Sequence, residues 1–406
     1  MKNKIKILIL FQTLYFFIIF DIKLTAREFD YFYDGKNLIT NQIIEYIDSG
    51  SIAGAQLVII KSDSLIYNNA IGYADIDSKK LLSDDSIFRI YSMTKPIVSV
   101  ALMMLWEKGL FNLDDYLHEY IPGFKDIKIY NESTLIKSTK KIKIIDLLRH
   151  TSGLGYGWSG NKYLDSEYSK IWISKNNEEF ALKAQSLPLF FEPGTSWRYG
   201  INTDICGYLI EILSNQSLDL FLYENIFKPM EMIDTHFQIP DFKIPRFTSN
   251  YKYDEKKEIL KLVDNYNKTE YSNKSFYSGG GGLVSTVNDY INFSKMLLNN
   301  GSFGNHKILE KSTIQLMTKN QIYDIDYPWG NGIKFGLGFS VVTDHRLSEN
   351  SDSNGSFGWS GAAGTRFIID PKEELIIIMM IQRMHPWPNL FEKLNNLIYS
   401  LLKIKN

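Results

Sequence analysis

Near the start of the chain Ile43, Ile44 and Ile47 recur at helical spacing, and two apolar runs follow, Ala55-Gln56-Leu57-Val58-Ile59-Ile60 and Leu65-Ile66-Tyr67. The polar Lys61-Ser62-Asp63-Ser64 between them is turn-forming, so the pattern predicts a helix and then a β-hairpin. At the far end Phe339 to Val342, Thr365 to Ile369 and Leu375 to Ile381 have strand character, the last two joined by Asp370-Pro371-Lys372-Glu373-Glu374. Leu390 to Leu402 is amphipathic and predicts a closing helix. Between about residues 92 and 330 the pattern is mostly helical, with aromatic-rich loops holding Tyr156, Trp158, Tyr163, Tyr168 and Trp172. Lys137 to Lys143 is expected to be a solvated hairpin edge rather than a binding patch. The expected class is α+β: an antiparallel sheet built from both chain ends and flanked by helices, with a mostly helical middle.

Ahead of this pattern, Lys2, Lys4 and Lys6 precede a 14-residue apolar stretch from Ile7 to Phe20, short of the ~20 residues a spanning helix needs. Residues 1–26 are therefore expected to be a signal peptide cleaved after Ala26. Leu24 stands where a small residue is preferred, which keeps an uncleaved N-terminal anchor in the inner membrane as the second reading. Residues 27–406 then form one globular unit, exported and periplasmic.

Charge and composition narrow the chemistry. Lys plus Arg (45) nearly cancels Asp plus Glu (46), so no sustained positive field exists for nucleic acid. Cys206, the one cysteine, cannot make an intrachain disulfide and lies in a stretch that reads as buried helix. The six histidines have no metal-ligand spacing. Neither metal nor cofactor is expected, and no protein partner; the ligand expected is a small molecule.

No Gly-x-Ser-x-Gly occurs, which removes the nucleophile elbow of an α/β-hydrolase. Ser-x-x-Lys occurs five times, starting at Ser92, Ser138, Ser159, Ser249 and Ser400, so context has to choose among them. Only Ser92 stands at the entrance to a long, nearly all-apolar helix, Pro96 to Trp106, with Pro96 in a first turn that tolerates it. A spacing of three residues puts the Lys95 amine beside the Ser92 hydroxyl, and the helix N-terminus favours negative charge there. Burial beside such a helix is the means by which a lysine becomes a base.

Around that tetrad the chain resembles class C β-lactamases, penicillin-binding peptidases and, above all, the β-lactamase-like carboxylesterases called family VIII esterases. The resemblance spans roughly residues 35 to 400. It is carried by Phe88-Arg89-Ile90-Tyr91-Ser92-Met93-Thr94-Lys95-Pro96, by Asp146-Leu147-Leu148-Arg149-His150-Thr151-Ser152-Gly153-Leu154 and by Ser278-Gly279-Gly280-Gly281-Gly282-Leu283-Val284-Ser285-Thr286. It implies a β-lactamase/transpeptidase-like fold, an acyl-enzyme on Ser92, a structural role for His150 and a tight turn by the cleft for the glycine run. The tyrosine that follows a Pro-Gly-Thr turn in the family is matched by Tyr199 in Glu192-Pro193-Gly194-Thr195-Ser196-Trp197-Arg198-Tyr199. Beside Lys95 it would accept the Ser92 proton and later deliver it to the leaving alcohol.

The family's third element, a Lys-Thr-Gly or His-Thr-Gly triplet on a strand, is matched by Trp359-Ser360-Gly361. The resemblance implies that the backbone amides of Ser92 and Ala362 form the oxyanion hole, and that Gly361 lets substrate approach the strand. Two departures bear on substrate. Trp359 has no cation for a lactam carboxylate, and the asparagine two residues after the tyrosine is replaced by Ile201, with Asn202 one place on. Both favour neutral esters over lactams, although Arg198 or Arg366 offers a replacement cation. The reading is thus a carboxylesterase acting through Ser92, Lys95 and Tyr199, with Trp359, Ser360, Gly361, Ile201 and Asn202 at the substrate. The alternatives are a β-lactamase, a D-alanyl-D-alanine peptidase, or a non-catalytic penicillin-binding receptor.

Overall fold

The computed structural model describes residue 32, residues 35–272 and residues 274–402; the expected leader at 1–26 lies outside them. Among the described residues the largest sheet has eight strands. They are β1 (Gly54–Lys61), β2 (Ser64–Asp75) and β3 (Lys80–Leu81) from one end of the chain, and β4 (Ile333–Phe335), β5 (Ser340–Val342), β6 (Phe357–Ser360), β7 (Arg366–Asp370) and β8 (Leu375–Ile381) from the other. The order is β4-β5-β6-β7-β8-β1-β2-β3 and every neighbouring pair is antiparallel. The two ends of the chain meet where β8 pairs with β1, Ala55 opposite Ile381 and Lys61 opposite Leu375.

Helices cover both faces: α1 (35–48), α2 (Thr94–Glu107), α3 (Asn202–Ser214), α4 (Val287–Leu298) and α5 (Leu390–Leu401) are the longest. Side chains alternate across a strand. Leu57, Ile59, Ile377 and Met379 therefore join Ile39 and Ile43 of α1 and Leu394 and Ile398 of α5. Val58, Ile60, Ile376 and Ile378 join Val98 and Leu102 of α2 and Phe293 and Leu297 of α4 on the other side. A strand buried on both faces has few polar positions to show, which is why β8 reads as an unbroken apolar run and β1 as one interrupted by the buried Gln56 alone before Lys61.

The α+β class and the sheet drawn from both chain ends are as expected. Strand β6 was expected through the resemblance, at Trp359-Ser360-Gly361, but not from local pattern, because Phe357-Gly358-Trp359-Ser360 is short and interrupted by glycine, and the three-residue β4 was not expected. The middle is less uniformly helical than its periodicity implies: it carries the hairpins Lys128–Asn131 with Thr134–Lys137 and Asn250–Asp254 with Ile259–Asp264. Of the segment Lys137 to Lys143, expected to be a solvated hairpin edge, Lys137 alone lies in an exposed hairpin strand, Thr134–Lys137; Ser138 and Ile142 are buried, so the expectation holds at its first residue and not along its length.

Ile378 is fully buried between β7 and β1 on the α2 side. Ile378→Ala is expected to cost roughly 2–5 kcal/mol of unfolding free energy in urea titration, whereas Leu135→Ala on the exposed hairpin should change it by less than about 0.5 kcal/mol.

Candidate active site

The short strand Phe88–Arg89 pairs with Val284–Ser285, and the Ile90 amide donates to Leu283 O at 3.2 Å. One 3-10 turn, Tyr91–Met93, then leads directly into α2. Tyr91 sits at φ 40°, a strained setting for a bulky residue. Behind the turn Arg89 is fully buried, paired with Asp264 at 2.5 Å and stacked 4.0 Å from the Phe247 ring centre. That framework holds Ser92 at the mouth of the helix.

One turn further on, Lys95 is 1% exposed. Its Nζ lies 3.3 Å from Ser92 Oγ and donates to the Tyr156 hydroxyl at 2.8 Å and to Gly280 O at 2.6 Å. The Gly280 contact comes from the glycine run, which turns tightly, with Gly282 N–H donating to Ser278 O at 2.9 Å. Asp204, in the first turn of α3, fastens this turn by accepting from Ser278 Oγ at 2.5 Å and Gly280 N–H at 3.0 Å. A Cβ on Gly280 would lie 2.3 Å from Asp204 Oδ2, so the approach needs glycine. Burial pushes the Asp204 carboxyl up, while the Lys95 charge and the two donors act to hold it down.

Two aromatic segments bring the phenols to the amine. Phe190 N–H donates to Gly153 O at 2.8 Å, Arg198 N–H to His150 O at 2.9 Å and Ile201 N–H to Gly155 O at 3.3 Å, so residues 150–155 and 190–201 run side by side. A Cβ on Gly200 would meet Gly155 Cα at 2.5 Å, and this backbone contact sets Tyr156 and Tyr199 edge to face, 5.3 Å between ring centres. Lys95 Nζ lies 4.6 Å from the Tyr199 ring centre. The Tyr199 hydroxyl makes no hydrogen bond among the described residues. Tyr156, absent from the candidates drawn from sequence, is the phenol bonded to the lysine; its place in an aromatic-rich loop was the only signal.

The other candidates divide. Gly361 packs against the backbone just before Ser92, where a Cβ would come within 2.2 Å of Ile90 O. The next amide, Ala362 N–H, makes no hydrogen bond among the described residues and is a free donor beside the turn. Trp359 is 7% exposed, its ring 5.6 Å from that of Tyr199 and 5.7 Å from that of Trp329. Ser360 lines a cavity of about 120 Å³ shared with Trp329, Trp359 and Arg366 but not with Ser92. Ile201 and Asn202 are wholly buried, which corrects their expected place at the substrate. Asn202 accepts from Ser152 Oγ and bonds His150 Nδ1 at 2.9 Å, and a side chain without exposed surface has no contact to offer. Burial and then the Lys95 charge hold the His150 imidazole well below its ordinary range, in keeping with a structural role. Arg366 is paired with Glu392 at 2.5 Å, whereas the Arg198 guanidinium lies on the Phe190 ring at 3.6 Å with no ion pair among the described residues and no hydrogen-bond partner for its Nε.

The family model described as Beta-lactamase matches residues 39–398. Protein Rv1367c of Mycobacterium tuberculosis is 31% identical over 363 residues, which cover 85% of this chain and 90% of the relative. A protein of Escherichia coli O157:H7, provisionally named a D-alanyl-D-alanine carboxypeptidase, is 24% identical over 387 residues, covering 88% and 86%. Among solved structures, EstCE1, described as a hydrolase with promiscuous acyltransferase activity, superposes with a TM-score of 0.77 at 22% identity, covering 93% of this chain and 99% of that one.

Gly200→Ala is expected to lower stability by about 1–3 kcal/mol, read from urea unfolding, because the added methyl overpacks the Gly155 contact. The same change at the open Gly160, where a Cβ meets nothing within 4 Å but φ is +77°, should cost only about 1 kcal/mol of backbone strain.

Proposed function

The chain belongs to the beta-lactamase family of serine hydrolases, and on that premise we propose that it cleaves neutral carboxylic esters through an acyl-enzyme on Ser92. The observation that carries the reading is the wall around Tyr199. Trp329 and Trp359 lie 5.0 and 5.6 Å from its ring, Trp359 is by the resemblance the match to the cation of lactam-directed relatives, and Arg366 is held by Glu392 while Arg198 lies on Phe190. An anionic lactam loses the charge-assisted bond that would orient it, whereas a neutral ester gains apolar contact.

In this reading Lys95, with Tyr199 against it, takes the Ser92 proton as Oγ attacks the ester carbonyl. The amides of Ser92 and Ala362 receive the developing oxyanion; they come from the backbone, so they are preorganised whatever the side chains nearby. Collapse expels the alcohol, and water then attacks the acyl-enzyme by the same route in reverse. A second reading, acyl transfer to an alcohol or release of D-alanine, is supported by the likeness to EstCE1 and to the Escherichia coli protein. The catalytic groups would be the same and only the acceptor or leaving group would change.

The test is kcat/KM for p-nitrophenyl butyrate, nitrocefin and a D-alanyl-D-alanine peptide. The ester is expected to be preferred, and a preference for either of the others would overturn the reading. Ser92 makes no helix-capping hydrogen bond, so Ser92→Ala should fold normally and show no activity above background; substantial ester turnover would rule out Ser92. Trp359→Lys should raise the nitrocefin-to-ester ratio by about tenfold to a hundredfold, the worth of a charge-assisted bond of roughly 1.5–3 kcal/mol.

A further inference from the structure

We propose that Tyr156 is a second proton-transferring phenol of the site, the group that returns the Ser92 proton, through Lys95, to the oxygen of the departing alcohol. The inference rests on the acyl-enzyme reading above and assigns one of its steps.

It starts from the valence of the amine. Lys95 Nζ has three polar neighbours, Ser92 Oγ at 3.3 Å, Tyr156 Oη at 2.8 Å and Gly280 O at 2.6 Å. As an ammonium it spends one N–H on each and has no lone pair left. As a neutral amine it directs its lone pair to the Ser92 hydroxyl and keeps its two N–H bonds on Tyr156 and Gly280. The Gly280 carbonyl is no proton carrier, so a proton arriving from Ser92 has one neighbour to move on to, the Tyr156 oxygen. Tyr156 accepts from Lys95 and is bonded to no other described residue through its hydroxyl, so its own O–H is free to point into the cleft. Burial pushes this phenol well above its ordinary range, with Tyr199 and Asp204 adding to the shift; it therefore stays protonated and serves as a donor.

The step balances. The Ser92 O–H proton moves to Nζ as the Oγ–carbon bond forms. When the carbon–oxygen bond of the ester breaks, Nζ hands a proton to Tyr156 Oη while Tyr156 gives its own to the leaving alkoxide. Lys95 and Tyr156 end as they began, and the serine proton has become that of the alcohol. The ring is held for this task by stacking between Trp158 at 5.0 Å and Trp172 at 5.8 Å, a packing that phenylalanine would keep.

Tyr156→Phe is therefore informative when the leaving group is varied. p-Nitrophenolate departs without help, whereas ethoxide needs a proton as it leaves. The variant should lose on the order of 100-fold or more in kcat/KM for ethyl butyrate, the scale of general acid catalysis, and no more than about tenfold for p-nitrophenyl butyrate. Equal losses on both esters, or none, would overturn the proposal, since misplacement of the fold or of Lys95 affects every substrate alike. Matching thermal midpoints of variant and wild type check folding. If wild type hydrolyses neither ester, the ester reading falls, and Tyr156 is tested on benzylpenicillin, whose ring nitrogen also needs a proton to leave. Slower Ser92 acylation in Tyr156→Phe, by intact mass, would then uphold the assignment, and an unchanged rate, or a wild type that benzylpenicillin does not acylate, would overturn it.

Discussion

A lysine amine sealed inside an apolar helix has to find acceptors without the help of water, since an unpartnered charge in a core costs several kcal/mol, roughly the whole margin of stability of a domain. Lys95 meets this demand with groups from three stretches, the adjoining turn at Ser92 and two remote ones, the loop at Tyr156 and the glycine run at Gly280. Each stretch has its own device for reaching the amine. The first uses a left-handed Tyr91 backed by the buried Arg89 and its ion pair with Asp264, the second the contact of Gly155 with Gly200, and the third the clasp of Asp204 on a turn that leaves no room for a Cβ at Gly279 or Gly280. The site is thus the set of solutions to one burial problem.

The same groups tie together parts of the middle region that little regular structure links. The segments 150–155 and 190–201 exchange backbone hydrogen bonds without forming a sheet, and the aromatic rings of Tyr156, Trp172, Tyr199, Trp329 and Trp359 fill the space around the amine. Aromatic surface of this kind excludes water and strengthens every remaining polar contact, because hydrogen bonds count for more in a low dielectric.

What could be read from the sequence follows the range over which each feature is encoded. Helix α2 and strands β1 and β8 announce themselves by local pattern, as does the Ser92–Lys95 pair, whose partners are one helical turn apart. Tyr199 was reachable only through the resemblance, its Pro-Gly-Thr turn having no chemistry of its own. Tyr156 was not reachable, because nothing local distinguishes it from Tyr163 or Tyr168 in the same loop region; its bond to Lys95 depends on how two glycines, far apart in sequence, meet. Asn202 misled for the complementary reason. A polar residue near the tyrosine matched to the family suggests substrate, yet the Asn202 side chain is wholly buried and bonded to His150 and Ser152 inside the core.

The pairing of β8 with β1 carries a consequence for biogenesis. The centre of the sheet is made from segments that lie nearly the whole chain apart, Ala55 against Ile381, so its most buried strand is among the last parts to leave the ribosome. Until then β1, apolar on both faces, has one unsatisfied edge, and contacts of such long sequence separation form slowly. The nascent chain therefore exposes an adhesive strand through most of its synthesis, and a premature stop anywhere before Leu375 would leave that edge permanently open.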